Sequence, residues 1–173
     1  AFIKFEGKKF TFKDIDRMAD RYAAFLLRNG LRKEERVALL CHNCPQYIAA
    51  YFGIIRAGGV VLPLNTLLAH EEVDFILNDA GVKTLFYDRD CSGIVERLSH
   101  KGERSFFSLS ETARSERPIE NPELLPQTSV EGVSTVLYTS GTTGRPKGAL
   151  LTHGNFISNA LAATSVIHIT QKD

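Results

Sequence analysis

"RVALLCHNCPQYIAAYFGIIRAGGVVLPLN", from Arg36 to Asn65, decides the fold. Its opening run, Arg36 to Cys41, is short and almost wholly apolar, which suits a strand covered on both faces. Asn43 then offers an N-cap, and Pro45 stands in the first helical turn, where a missing N–H costs nothing. The helix reaches about Ala57, and the glycine pair after it makes a tight turn. "GGVVLPLN" is a second buried strand. Pro63 either ends it or sits on a sheet edge, because proline cannot donate to a ladder.

Outward from this unit the alternation continues. Upstream, "FIKFEGKKFTF" alternates apolar and polar residues around a turn and reads as a hairpin from about Phe2 to Phe12. In "TFKDIDRMADRYAAFLLRNG", Ile15, Met18, Ala19, Tyr22, Phe25 and Leu26 fall on one helical face. Thr11 with Asp14 forms a capping box, and Gly30 fits the C-terminal cap. Downstream, "HEEVDFILNDAG" is a third amphipathic helix and "KTLFYD" a third strand. The fold class is therefore α/β, with mainly parallel β-sheet layers and flanking helices. The pattern fades after Asp90. The stretch over about 108–131, with prolines at 118, 122 and 126, reads as an irregular surface connection. "VSTVLYT" (Val133–Thr139) is a buried strand again.

At 173 residues the chain is long enough for one domain with a substantial core. A formal net charge of +1, from 21 basic and 20 acidic residues, argues against a nucleic-acid partner. The longest strongly apolar run, Tyr47 to Ile55, stops at Arg56 and is too short to span a bilayer. The first ten residues lack a signal-peptide pattern. Three cysteines, Cys41, Cys44 and Cys91, make no disulfide framework and point to a reducing compartment. The start at Ala1, without methionine, reads as a piece of something longer.

The strand Val133–Thr139 delivers "YTSGTTGRPKGALLTHGN" (Tyr138–Asn155). Its glycines allow successive N–H groups to converge on an anion. Ser and Thr add hydroxyl donors, and Lys147 adds a mobile positive charge. The bland alternative, a polar hairpin loop, does not require that combination. A Walker A loop is excluded: counted from Gly141, Pro146 stands where the second glycine belongs, and Gly148 replaces the magnesium-holding hydroxyl. "GALLTH" reads as a second strand, giving strand–loop–strand, with a helix from near Gly154 or Asn155 to Val166.

"YTSGTTGRPKG" followed by "LLTHGN" resembles the phosphate-loop signature of the adenylate-forming (acyl-CoA synthetase, AMP-binding) superfamily. Three upstream stretches, starting "TFKDID", "NCPQYI" and "EEVDFI", are similar to that family's opening helix–strand units. The resemblance implies a partial N-terminal AMP-binding domain over 1–173, with the phosphate loop at 138–148. It implies a two-step reaction, in which a carboxylate attacks the α-phosphate of ATP and a thiol, coenzyme A, then takes the acyl group. Carried over by position, Thr139, Ser140, Gly141, Thr142, Thr143, Gly144 and Lys147 would hold the ATP phosphates. Lys147 would support pyrophosphate departure, and Thr139 would also contact Mg2+. The expected substrate is a medium- or long-chain fatty acid. The alternatives are an aryl acid, the amino acid of a peptide-synthetase domain, or a non-catalytic assembly module of the same fold. The family's catalytic lysine, magnesium-binding glutamate and acyl pocket have no counterpart before Asp173. The chain alone is thus expected to be inactive and prone to self-association. The implied location is cytoplasmic, with peripheral contact at the inner membrane face as the variant.

Other features carry blander readings. The C-x-x-C of "CHNC" (Cys41–Cys44) has zinc-like spacing, but a closed site needs further ligands and Cys91 is the one other cysteine. It reads as a strand end passing into a helix cap. His153 reads as part of a helix start rather than a catalytic base, and Arg56 as a solvated cation at a helix end.

Overall fold

A computed structural model describes residues 2–98, 104–115, 119, 125–139 and 146–167. The chain opens with a two-stranded antiparallel hairpin, β1 (Ile3–Phe5) and β2 (Lys8–Phe10). Helix α1 (Phe12–Arg28) follows, and Thr11 and Asp14 cap its start reciprocally, as their spacing predicts. At its end Gly30 takes φ +79°, and the Leu31 N–H returns to the Leu26 carbonyl at 3.0 Å. That is the left-handed helix ending a glycine permits at least cost.

The strand–helix–strand unit forms as expected: β3 (Arg36–Leu40), α2 (Pro45–Arg56) and β4 (Val60–Leu64). Two details differ from the sequence reading. Cys44, not Asn43, is the N-cap of α2. Pro45 occupies the first helical position, so the residue before it must stay extended, and Cys44 does so at φ −153° and ψ 165°. Pro63 neither ends β4 nor lies on an edge strand. It pairs with Leu39 of β3, while β4 registers with its other neighbour at Val61↔Thr135 alone. That sparse ladder leaves room for a residue without an N–H.

Helix α3 (His70–Asp79) and β5 (Thr84–Tyr87) are where the pattern places them. Alternation does not then stop at Asp90. A 3-10 turn (Arg89–Cys91) leads into α4 (Ser92–Leu98), and β6 (Ser105–Ser108) runs into α5 (Leu109–Ser115), which opens the stretch read as irregular. Residues 125–131 of that stretch hold neither helix nor strand. Then come β7 (Val133–Thr139), β8 (Lys147–Thr152) and α6 (His153–Val166).

Six strands make one sheet in the order β6-β5-β3-β4-β7-β8, parallel except for the antiparallel edge strand β8. Alternate side chains of the central strands feed two cores. Val37, Leu39, Val61 and Phe86 meet α1, α2 and α5, while Ala38, Leu40, Leu62 and Leu85 meet α3 and α4. Tyr22 is fully buried in the first core, where its hydroxyl donates to the Leu109 carbonyl at 2.8 Å. Arg56 corrects the expectation of a solvated cation: it pairs with Asp16 at 2.6 Å and Asp20 at 2.5 Å, tying the end of α2 to α1. Among the described residues no helix is long and apolar enough to cross a membrane.

Helices α1 and α2 meet closest at Gly53. A Cβ there would lie 2.5 Å from Tyr22 Cβ and 2.8 Å from the Ala19 carbonyl oxygen. In an open helix Gly→Ala stabilises by roughly 0.5–1 kcal/mol. Overpacking at this contact costs about 1–3 kcal/mol and wins. Gly53→Ala should therefore lower the urea midpoint of unfolding without changing the slope. A raised midpoint would show that the helices can separate freely.

Candidate functional site

Strand β7 lies half in the core. Ser134, Thr135 and Val136 are buried, and both buried hydroxyls have partners. The Thr135 and Tyr51 hydroxyls hydrogen-bond each other at 2.5 Å, and Ser134 Oγ donates to the Leu151 carbonyl at 3.3 Å. These bonds fix the strand before it emerges into solvent. Its antiparallel pairing with β8 runs from Val133↔Thr152 to Thr139↔Lys147, with an irregularity between Val133 and Thr135.

That register brings two of the sequence-derived site residues together. Thr139 and Lys147 are direct cross-strand partners, both exposed. Such partners share a sheet face with Cβ atoms ~4.5–5.5 Å apart. A hydroxyl and an ammonium group thus stand on either side of the mouth of the 140–146 segment. Ser140, Gly141, Thr142, Thr143 and Gly144 lie outside the described residues. The two strands expected on either side of the motif are present, and the second being a strand rather than a helix separates it from a Walker A loop.

Below the mouth, Tyr138 faces Gly148, a pairing that no local pattern announces. A Cβ on Gly148 would stand 3.1 Å from the Tyr138 ring and 3.0 Å from Val136 Cγ1, so the glycine makes room for the ring. The Tyr138 hydroxyl donates to Asp79 Oδ2, at the end of α3, at 2.5 Å. Partial burial pushes this phenol up to about 12, with the Asp79 hydrogen bond and charge adding to it and Arg36 opposing. The strand end that carries Thr139 is thereby pinned to α3.

On the far side, β8 runs into α6 through a capping box. Thr152 Oγ1 accepts the Asn155 N–H at 3.2 Å, and Asn155 Oδ1 accepts the Thr152 N–H at 2.8 Å. The N–H groups of His153 and Gly154 bond the carbonyls of Gly132 and Val130. "LTHGN" is thus a helix start, one residue earlier than the sequence suggests, and His153 belongs to it. "CHNC" is a strand end and a helix cap. Cys41 is buried just after β3 and Cys44 caps α2, and all three cysteines are free. Burial raises the Cys44 thiol, against backbone N–H groups of Tyr47 and Gln46 that lower it.

An open α/β sheet whose last parallel strand turns through a glycine- and hydroxyl-rich segment into a lysine-headed antiparallel strand defines a narrow structural class. The chain belongs to the AMP-binding enzyme family, whose model matches residues 1–173. It is 33% identical over 193 aligned residues to a long-chain-fatty-acid–CoA ligase of Bacillus subtilis, covering 91% of this chain and 34% of that one. It is 34% identical to a 2-succinylbenzoate–CoA ligase of Listeria monocytogenes, covering 99% of this chain and 34% of the relative. Among solved structures, ATP-bound MatB from Rhodopseudomonas palustris superposes with a TM-score of 0.81 at 29% identity, covering 92% of this chain and 33% of that one. The chain spans about a third of the length of the curated relatives it matches.

The Tyr138–Asp79 bond has a pH signature. A phenol whose folded pKa is raised contributes stability that is complete below its unfolded value of 10.0 and is lost as pH rises through about 12. Tyr138→Phe should cost about 1 kcal/mol at pH near 7, as the loss of a partly exposed hydrogen bond does. The gap to the parent should narrow as pH climbs through that window. A gap independent of pH in urea titrations would detach Tyr138 from Asp79.

Proposed function

We propose that this chain supplies the phosphate grip of an ATP-dependent acid–thiol ligase that activates a carboxylic acid, with a medium- or long-chain fatty acid as first choice. The observation that carries the reading is the Thr139↔Lys147 register at the mouth of the glycine- and hydroxyl-rich segment. In this reading the β- and γ-phosphates of ATP lie against the segment. They accept hydrogen bonds from the hydroxyls of Thr139, Ser140, Thr142 and Thr143 and from backbone N–H groups at Gly141 and Gly144. Mg2+ enters with the nucleotide, and the Thr139 hydroxyl is its contact from this chain.

The substrate carboxylate attacks the α-phosphorus, and the bond to the β-phosphate bridging oxygen breaks. Negative charge moves onto the departing pyrophosphate, and Lys147 meets it there. A fixed cation at developing charge lowers the barrier without having to reorganise. The thiol of coenzyme A then takes the acyl group and AMP leaves. Tyr138–Asp79 holds the end of β7 that leads into the segment, and the Thr152–Asn155 box holds the far end of β8. The fatty-acid ligase and the succinylbenzoate ligase resemble this chain to the same extent, and the ATP-bound relative supports the nucleotide. Fatty acid is preferred on the character of the loop and of "VVLPLN" upstream.

The intact protein should exchange labelled pyrophosphate into ATP when given a fatty acid. Exchange with an amino acid or an aryl acid alone would replace the substrate while leaving the grip in place. Lys147→Ala should lower kcat on the order of 10²-fold, as loss of a transition-state donor does, with little change in KM for the acid. An unchanged kcat would remove Lys147 from the reaction.

The edge formed by β8 and α6 bears on self-association. No residue of α6 is buried, and Phe156, Ile157, Leu161 and Leu150 are exposed. Apolar side chains beside an open strand edge favour association. The 173-residue chain produced alone should sediment as dimers or larger species, and Ile157→Lys with Leu161→Lys should shift it toward monomer. A monomer before substitution would show that this face is tolerated in water.

A further inference from the structure

The sheet reverses its winding between β3 and β5. From β3 the chain passes through α2 to β4 on one side, and from β5 through α4 to β6 on the other. Helix α2 packs on one face of the sheet and α4 on the opposite face. At such a switch point the two departing segments part and leave a crevice outside the carboxyl ends of the strands, where open α/β sheets take their ligands. The strands end level, at Leu40↔Tyr87. The residues just beyond are Cys41 and His42 on one strand and Asp88 on the other, with Cys91 three positions later.

His42, Asp88 and Cys91 converge there, and one ligand atom from each lies within 4.8 Å of the others. His42 Nδ1 is 2.8 Å from Asp88 Oδ2. The carboxylate is held by main-chain donors: the His42 N–H bonds Oδ2 at 2.6 Å and the Cys91 N–H bonds Oδ1 at 3.0 Å. The carboxylate also takes side-chain hydrogen bonds from His42 and from the Cys91 thiol, so a cation bound there stands in place of those two side-chain protons. Cys91 is buried at 2% exposure, whereas His42 is open to solvent. The group thus has a dry sulfur at its base, a fixed carboxylate and an imidazole at its entrance.

We propose that His42 Nδ1, an Asp88 carboxylate oxygen and Cys91 Sγ form an exchangeable site for a zinc-class divalent cation at the β3/β5 switch point. Imidazole plus thiolate selects zinc-like metals over Mg2+ and Ca2+, which prefer oxygen alone. Donors at the usual bond lengths of a tetrahedral zinc stand roughly 3.3–3.8 Å apart, so side-chain adjustment from the present spacing closes the site. The cation displaces the proton between Nδ1 and Oδ2. His42 stays neutral with its proton on Nε2. The Cys91 S–H bond breaks, a sulfur–metal bond forms and that proton passes to solvent. Thiolate and carboxylate together balance the charge of the cation, so its partial burial carries no net charge. The fourth position faces water beside His42, which makes the site open and exchangeable. Of "CHNC" it uses His42 alone. Its sulfur is Cys91, the cysteine that the spacing argument left over.

Cobalt reports both occupancy and sulfur ligation. The intact protein, stripped with a chelator, should take up one equivalent of Co2+ attributable to this site, with a sulfur-to-cobalt charge-transfer band. Zn2+ should displace it and excess Mg2+ should not. Cys91→Ser should abolish the band, Cys44→Ser should leave it, and His42→Ala should weaken Co2+ binding about tenfold or more. A band that survives Cys91→Ser, or is lost in Cys44→Ser, would overturn the assignment, as would its absence from the parent. Should Cys91→Ser not fold, the exposed His42→Ala decides, since unchanged Co2+ affinity in that variant rejects the site.

Discussion

Val37, Ala38, Leu39 and Leu40 are all fully buried, and their side chains alternate between the two faces of the sheet. A run of four apolar residues that alternate between two faces can exist in a strand only if both faces are covered. Burying each Val or Leu side chain is worth about 1.5–3 kcal/mol, so the helical layers over this strand are a condition of its formation. From that condition follow α1, α2 and α5 on one side and α3 and α4 on the other. The parallel order follows too, because α2, α3 and α4 each connect one strand of this sheet to the next. The crevice between β3 and β5 is where that winding reverses.

The same rigidity reaches the phosphate-loop motif from both ends. The first half of β7 is locked by the Tyr51–Thr135 and Ser134–Leu151 bonds, its exposed half by Tyr138 against Gly148 and Asp79. Strand β8 is held by its register and by the capped start of α6. Strands held in this way keep Thr139 and Lys147 in register across the sheet, which limits the ordering cost of any contact they make together. Gly148 serves here as the gap that admits an anchoring ring, a role distinct from the backbone freedom attributed to Gly141 and Gly144.

What could be read from the sequence was what depends on near neighbours. The Thr11–Asp14 box, the Gly30 ending, the buried run of β3 and the strand–loop–strand around the motif all declare themselves within a few residues. Helix α4, strand β6 and helix α5 are seven, four and seven residues long, too short for a period to show. Only Val95 and Leu98 of α4 are buried. Pro63 was placed by a rule about ladders whose outcome depends on how far β7 follows β4, which no local pattern states. Tyr138 meets Asp79 across 59 positions and His42 meets Asp88 across 46. Such pairs arise from the order of strands in the sheet, and the spacing of "CHNC" points to Cys41 and Cys44 rather than to the His42, Asp88 and Cys91 that converge.

On the proposed function, residues 138–148 grip the phosphates of ATP. Amide hydrogen exchange on the intact protein, with and without MgATP, tests it most directly. Exchange should slow across 139–148 when MgATP is present, and AMP, lacking the β- and γ-phosphates, should give much less protection there. Equal protection by AMP, or protection confined to other segments while 139–148 exchanges unchanged, would contradict it.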